Sequence, residues 1–82
     1  MNISIIEKTK NDIFKYLEDE NIIIDNELSA DIQFSFLQAL MSNSSEDEII
    51  EKALKYITER LEGKDYYNEV FIKVKRFQET RM

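Results

Sequence analysis

The side chains of this 82-residue sequence that could do chemistry are almost all carboxylates, since it contains 17 Asp and Glu but no His and no Cys. Without His it lacks the commonest general base and the commonest metal ligand. Without Cys it lacks thiolate chemistry and disulfides. The single Gly leaves no glycine-rich loop to bind a phosphate group. We therefore expect a protein that is not an enzyme and that uses no cofactor.

Two acidic motifs come closest to a site. Asp25-Asn26-Glu27 offers oxygen ligands for calcium, but a calcium-binding loop also needs alternating acids, a central Gly and a closing Glu. The pair Glu59 and Glu62 could do acid–base chemistry only if burial shifted a pKa, whereas carboxylates on a helix surface are usually solvated charges. We expect no metal site and no catalytic residue.

The distribution of charge is more informative than any motif. The 36 residues from 16 to 51 contain ten acids and no Lys or Arg, and the net charge of the sequence is −6. Nonspecific binding to nucleic acids depends on Lys and Arg that neutralise phosphates, so this charge balance disfavours it. We expect a basic protein as the partner and no direct contact with nucleic acids.

Helical periodicity predicts the elements that must position these charges. Apolar residues recur at helical spacing over about residues 4–20, 26–42 and 46–62, and again after Asp65, which we expect to cap the last helix. Gly63 is the expected end of the third helix. The sequence thus predicts an all-α fold, in which residues 1–82 form one domain. That domain is a small antiparallel bundle of four amphipathic helices, or of three longer ones.

The second predicted helix is apolar on two sides. One stripe contains Leu28, Ile32 and Phe36; the other contains Phe34, Leu37 and Met41; only Asp31, Ser35 and Gln38 mark a clearly solvated side. A helix of this kind is either central in its bundle or docks on a second surface. The second stripe is therefore a candidate oligomer interface, which would give a homodimer. The alternative is that it faces the inside of a central helix.

Acidic residues also accumulate where a helix dipole disfavours them. Glu18, Asp19 and Glu20 end the first helix. In an up-down bundle this end lies beside the start of the second helix and the turn at Gly63, and we expect the Ile22–Ile24 loop to tuck in there. Seven residues form our candidate partner-binding site: Glu18, Asp19, Glu20, Asp25, Glu27, Tyr66 and Tyr67. Acids beside tyrosines suit an interface with a basic protein. The alternative is that the tyrosines belong to the core boundary and the acids only aid solubility.

Short stretches resemble two families of bacterial immunity proteins. Thr58-Glu59-Arg60, followed by Gly63, Asp65 and Tyr66-Tyr67, is similar to a run in immunity proteins against colicin-type nucleases, whose paired tyrosines contact the nuclease. The segment from Ile3 to Asn21 resembles that family's first helix in a different alignment, and Asn68 stands where the family has a proline. Leu61-Glu62-Gly63-Lys64 is similar to a helical turn in immunity proteins for pediocin-like bacteriocins, which are four-helix bundles.

Two functions are expected from these observations. The first is an acidic inhibitor of bacterial or phage origin, comparable to an immunity protein or an antitoxin, that sequesters a basic partner. The alternative is a homo-oligomeric structural or assembly component that uses the second helix as its interface. No apolar run exceeds three residues, so we expect no membrane span. The lack of Cys favours the reducing cytoplasm.

Overall fold

A computed structural model describes residues 3–81 and the side chains of residues 4–80. The four helices are α1 (Ile3–Asp19), α2 (Asn26–Leu40), α3 (Glu46–Leu61) and α4 (Asn68–Arg81), and a 3₁₀ turn (Asp65–Tyr67) precedes α4. The described residues contain no strand. The prediction of a small all-α bundle of four helices is confirmed. None of the helices within this range combines the length and the apolar character needed to cross a membrane.

The starts of α2 and α3 follow from their capping residues. Asp25 Oδ1 accepts the backbone N–H of Leu28 at 2.8 Å, and Ser45 Oγ accepts that of Glu48 at 3.3 Å. Each bond satisfies one of the amide groups that a helix start leaves without an intrahelical acceptor. The prediction that Asp65 caps the last helix is wrong, because residue 65 begins the 3₁₀ turn and no side chain caps that turn.

The ends of the first three helices each use a residue in the left-handed conformation. Asn21, Asn43 and Gly63 have φ angles of 64°, 55° and 86°. Asn and Gly tolerate this conformation better than other residues, and the predicted stop at Gly63 is confirmed. After α1, the N–H of Ile22 donates to the carbonyl of Leu17 at 2.9 Å. This bond turns the chain back so that the Ile22 side chain packs against the core.

The loop after α1 only partly follows the prediction. Ile22 and Ile24 are half-buried and pack against the core, but Ile23 is 90% exposed. The loop is not helical, and in an extended chain successive side chains point to opposite sides. The expectation that the whole run tucks into the bundle end is therefore wrong for its central residue.

One hydrophobic core runs through the bundle, and α3 is its centre. α3 contacts each of the other three helices, and α2 packs most closely against it, whereas α1 and α2 touch little. The buried apolar side chains are Ile6, Ile13, Leu17, Leu28, Ile32, Phe36, Ala39, Ile49, Ile50, Ala53, Leu54, Ile57, Leu61, Tyr67, Val70 and Val74. The interpretation of α2 as a central helix is thus wrong.

The side of α2 that the sequence marks as solvated is partly buried. Ser35 is fully buried; its hydroxyl donates to the Asp31 carbonyl at 2.7 Å and accepts from Arg60 at 3.1 Å. Asp31 forms a 2.9 Å ion pair with Lys64. Because these polar groups find partners within the protein, their burial leaves none of them unsatisfied. The second apolar stripe consequently faces outward.

Candidate functional site

The first candidate site is one end of the bundle, which we call the acidic pole. It is formed by the end of α1, the loop and start of α2, the end of α3 and the 3₁₀ turn. The hydroxyl of Tyr66 donates to Glu27 Oε2 at 3.0 Å, and that of Tyr67 donates to Asp25 Oδ1. An ion pair of 3.2 Å between Lys73 and Glu20 joins α4 to the end of α1. The structure therefore brings together the chain segments that carry all seven predicted site residues.

The two adjacent tyrosines have different environments. Tyr67 is 5% exposed, whereas Tyr66 is 68% exposed; their ring centroids are 4.6 Å apart and the rings are inclined at 52°. Burial raises the pKa of Tyr67 far above its usual range, and the hydrogen bond to Asp25 adds to this shift. The same bond lowers the pKa of the Asp25 carboxyl. Tyr67 is thus a core residue and not part of the contact surface that we predicted.

Tyr66 is the aromatic residue that the acidic pole presents to solvent. Its hydroxyl is held by Glu27, and this hydrogen bond raises the pKa of Tyr66. An exposed aromatic ring that is already held in place loses little conformational entropy when a partner covers it. Tyr residues at such positions are frequent binding hot spots.

Some of the acids at this pole have structural roles. Asp25 caps α2, and Glu20 and Asp31 each have a lysine partner. The hydrogen bond that Lys64 donates to Asp31 raises the pKa of Lys64. Arg60 donates to Ser35 and to Gln38 of α2, at 3.1 and 3.0 Å. The nearby bases therefore bond to α2 or to the end of α1, and three of the carboxylates have a role in the fold.

The other acids at the pole lack such roles. Glu18, Asp19, Glu59 and Glu62 are exposed, and none forms an ion pair with a side chain in the described range. They lie in the last turns or at the ends of α1 and α3. A negative charge in such a position is unfavourable by about 0.3–1 kcal/mol, because it faces the negative end of the helix dipole. Folding alone does not account for these four carboxylates.

Ile23 is a feature of this pole that the sequence prediction missed. Its side chain is almost fully exposed, and it lies two residues before Asp25. The signal was the short extended loop, in which a run of three isoleucines cannot turn every side chain inward. The acidic pole thus combines exposed carboxylates with one exposed aromatic and one exposed aliphatic side chain.

The carboxylates of the acidic pole are the groups here that could hold a metal ion or transfer a proton. Among the residues that the structure describes, no group of three or more carboxylates is placed to hold a metal ion. Glu59 and Glu62, the pair considered for acid–base chemistry, are both exposed at the end of α3.

The second candidate site is the outer face of α2. Phe34, Leu37 and Met41 are 58%, 54% and 80% exposed, so the interpretation that they line the inside of a central helix is wrong. A groove of about 410 Å³ lies between α1 and α2 beside this face, and Lys10 and Leu40 are among its lining residues. Large apolar side chains grouped on one exposed face usually mark a binding surface.

We compared the chain with known protein families, sequences and structures. No protein-family model, curated protein or solved structure matches the chain.

Proposed function

We propose that this chain is a non-enzymatic binding protein that sequesters or blocks a basic protein in the cytoplasm, as an inhibitor comparable to an immunity protein or an antitoxin. The observation that carries the proposal is the set Glu18, Asp19, Glu59 and Glu62. These acids are exposed at helix ends that disfavour them, at the pole that also exposes Tyr66 and Ile23.

The acidic pole suits the two stages of such an interaction. Unpaired carboxylates create a negative field that speeds the approach of a basic surface, and salt screens this effect. After contact, Tyr66 and Ile23 supply apolar area at the centre of the interface, where most binding energy is concentrated. Lys64, Lys73 and Arg60 already bond to α2 or to the end of α1. They therefore do little to neutralise the four exposed acids named above.

The test compares two variants with the same change of net charge. The pole variant combines Glu18→Gln, Asp19→Asn and Glu59→Gln, and the control variant combines Asp47→Asn, Glu48→Gln and Glu51→Gln at the start of α3. Each immobilised protein is exposed to lysate of the cells that express the chain, at about 50 mM and about 300 mM salt, and retained proteins are identified by mass spectrometry.

We expect wild type and the control variant to retain the same basic protein at low salt, with weaker retention at high salt. The pole variant should retain it about ten-fold more weakly, because long-range charge at the contact surface is reduced. If both variants lose the partner equally, total charge and not the acidic pole determines binding. If wild type retains no salt-sensitive basic protein, the proposed function is wrong.

Tyr66 provides a sharper test once the partner is known. We expect Tyr66→Ala to weaken binding at least ten-fold, while Tyr66→Phe, which keeps the ring, loses much less. Because Tyr66 is exposed, both variants should remain folded by circular dichroism. Equal binding by Tyr66→Ala and wild type would place the contact elsewhere.

A homo-oligomeric structural or assembly component is the second candidate function. The exposed stripe on α2 favours it, since that stripe lies on a separate surface and carries no charge. The two functions are distinguished by the partner: another copy of the chain in one case, and a different, basic protein in the other.

A further inference from the structure

The outer face of α2 carries a regular apolar stripe. Ala30, Phe34, Leu37 and Met41 follow one another at spacings of four, three and four residues. This spacing is that of the seam along which two helices pack in a coiled coil. We infer that the stripe binds a second copy of the chain, with the two α2 helices antiparallel about a two-fold axis.

The charge pattern of α2 favours a second copy as the occupant. Residues 32–45 contain no charged side chain, although 34% of the whole chain is charged. Two proteins of net charge −6 repel one another, and this repulsion is weakest where they meet through a surface that lacks carboxylates. The cores of protein interfaces are likewise depleted of charge and enriched in Phe and Met.

The stripe is complementary to itself in the antiparallel orientation. In this arrangement the two-fold axis passes beside the midpoint between Ser35 and Phe36. Phe34 then lies opposite Leu37 of the partner subunit. The small Ala30 lies opposite the large Met41 of the partner subunit. Next to the seam, Asp31 falls near Gln38 of the partner subunit, so no carboxylate faces another. Such a contact uses the same patch on both copies, as a two-fold interface requires.

The acidic pole decides between the antiparallel and the parallel orientation. α2 begins at this pole: Asp25 is its capping residue, and Glu27 lies in its first turn. A parallel pair would bring the acidic poles of both copies side by side, whereas an antiparallel pair places them at opposite ends of the dimer. Each pole then remains free to bind a partner.

The area of the stripe predicts a weak dimer. With side chains of roughly 200 Å² each, the three exposed residues Phe34, Leu37 and Met41 offer about 380 Å² of apolar surface per subunit. The groove between α1 and α2 lies beside them and can take up partner side chains. Stable interfaces bury about 800 Å² per partner, so we expect a dissociation constant in the micromolar range.

The first measurement is the molar mass in solution. Light scattering from about 10 µM to about 1 mM should show a monomer that becomes a dimer as the concentration of the wild-type chain rises. Leu37→Asp should remain a folded monomer over this range. Ile72→Asp is the matched control, because Ile72 is also exposed but lies on α4, and this variant should dimerise like wild type. A wild type that stays monomeric at about 1 mM would overturn the proposal and leave the stripe to another protein.

The second measurement tests the orientation by cross-linking, for which a chain without Cys is suited. Ala30→Cys and Met41→Cys, mixed in equal amounts, should form a disulfide-linked dimer under mild oxidation. Each variant alone should cross-link poorly, because in the antiparallel pair its two copies are about 16 Å apart along the helix, too far for a disulfide. Strong cross-linking of Met41→Cys alone would show a parallel pair and overturn the inferred orientation. Both tests leave the residues of the acidic pole unchanged, so their failure is distinguishable from failure of the proposed function.

Discussion

The two ends of this bundle treat their charges in opposite ways. At the end away from the acidic pole, which we call the opposite pole, Glu46, Asp47 and Glu48 occupy the first turn of α3, where the helix dipole favours negative charge. Lys75 and Arg76 lie in the C-terminal half of α4, on the way to the end at which a helix dipole favours positive charge. At the acidic pole, Glu18, Asp19, Glu59 and Glu62 have the sign that the dipoles of α1 and α3 disfavour.

This difference separates charges that help folding from charges that need another explanation. At the opposite pole, local helix energetics accounts for the acids. At the acidic pole, local helix energetics explains Asp25, which caps α2. It does not explain Asp19, which lies in the last turn of α1. Positions at which a sequence departs from its own local rules are where functional surfaces are expected.

The largest expected effect separates the two tyrosines of the acidic pole. We expect Tyr67→Ala to lower the free energy of unfolding by about 3–5 kcal/mol, because it removes a buried aromatic ring and leaves a cavity. Tyr66→Ala, one residue earlier, should leave the urea midpoint close to that of wild type, because that ring is exposed. Urea unfolding followed by circular dichroism measures both. Similar losses for the two variants would contradict the assignment of Tyr67 to the core and Tyr66 to the surface.

The next effect compares the capping residues of the two poles. Ser45→Ala removes the cap of α3 and should cost about 1 kcal/mol. Asp25→Ala should shift the urea midpoint further, because Asp25 accepts both the Leu28 amide and the Tyr67 hydroxyl. Asp25→Asn, whose side-chain oxygen can accept both bonds, is the control and should lose less than Asp25→Ala. If Asp25→Ala costs no more than Ser45→Ala, the bond to Tyr67 contributes nothing to stability.

A third effect appears at alkaline pH. Tyr67 has a raised pKa in the folded state, whereas an unfolded tyrosine loses its proton near its ordinary pKa of 10.0. Below that pH both states keep the proton and the stabilisation is fully present. As the pH rises above 10 the unfolded state loses its proton first, so stability falls. Tyr67→Phe lacks this ionisation, and its stability relative to wild type should therefore improve between about pH 9 and pH 11. A constant difference between the two proteins would contradict the raised pKa.

The sequence predicted α3 most completely because its apolar residues lie on one side only. Their spacing and the Gly63 stop both agree with the structure. For α2 the spacing placed two stripes on one helix but could not show which stripe is buried. Arg60 and Lys64, which lie 25 and 33 residues from their α2 partners in sequence, make the contacts that orient the helix. Such long-range contacts leave no periodic signal.

The candidate site was predictable at the level of topology and not of individual side chains. Short connections in an up-down bundle place the end of α1, the start of α2 and the turn after α3 together, which gathered Glu27 and Tyr66 correctly. The sequence could not distinguish Tyr66 from Tyr67. Their orientation depends on the 3₁₀ turn, whose side chains advance by a different angle from those of the α-helix that we predicted.

The smallest expected effect differs in sign between the poles. Asp19→Asn removes a negative charge from the last turn of α1 and should raise the free energy of unfolding by about 0.3–1 kcal/mol at low salt. Asp47→Asn removes the same charge from the first turn of α3 and should lower it by a similar amount. Both carboxylates are exposed, so urea unfolding at low salt and near 1 M salt should show the two differences shrinking together.

Opposite signs would mean that Asp19 lowers the stability of the fold in which it occurs. The acidic pole would then be a surface maintained at the expense of stability, as binding surfaces commonly are. If both substitutions lower the free energy of unfolding, Asp19 stabilises the fold in spite of its position at the end of α1. The contrast between the poles would then give no support to a binding role for Asp19.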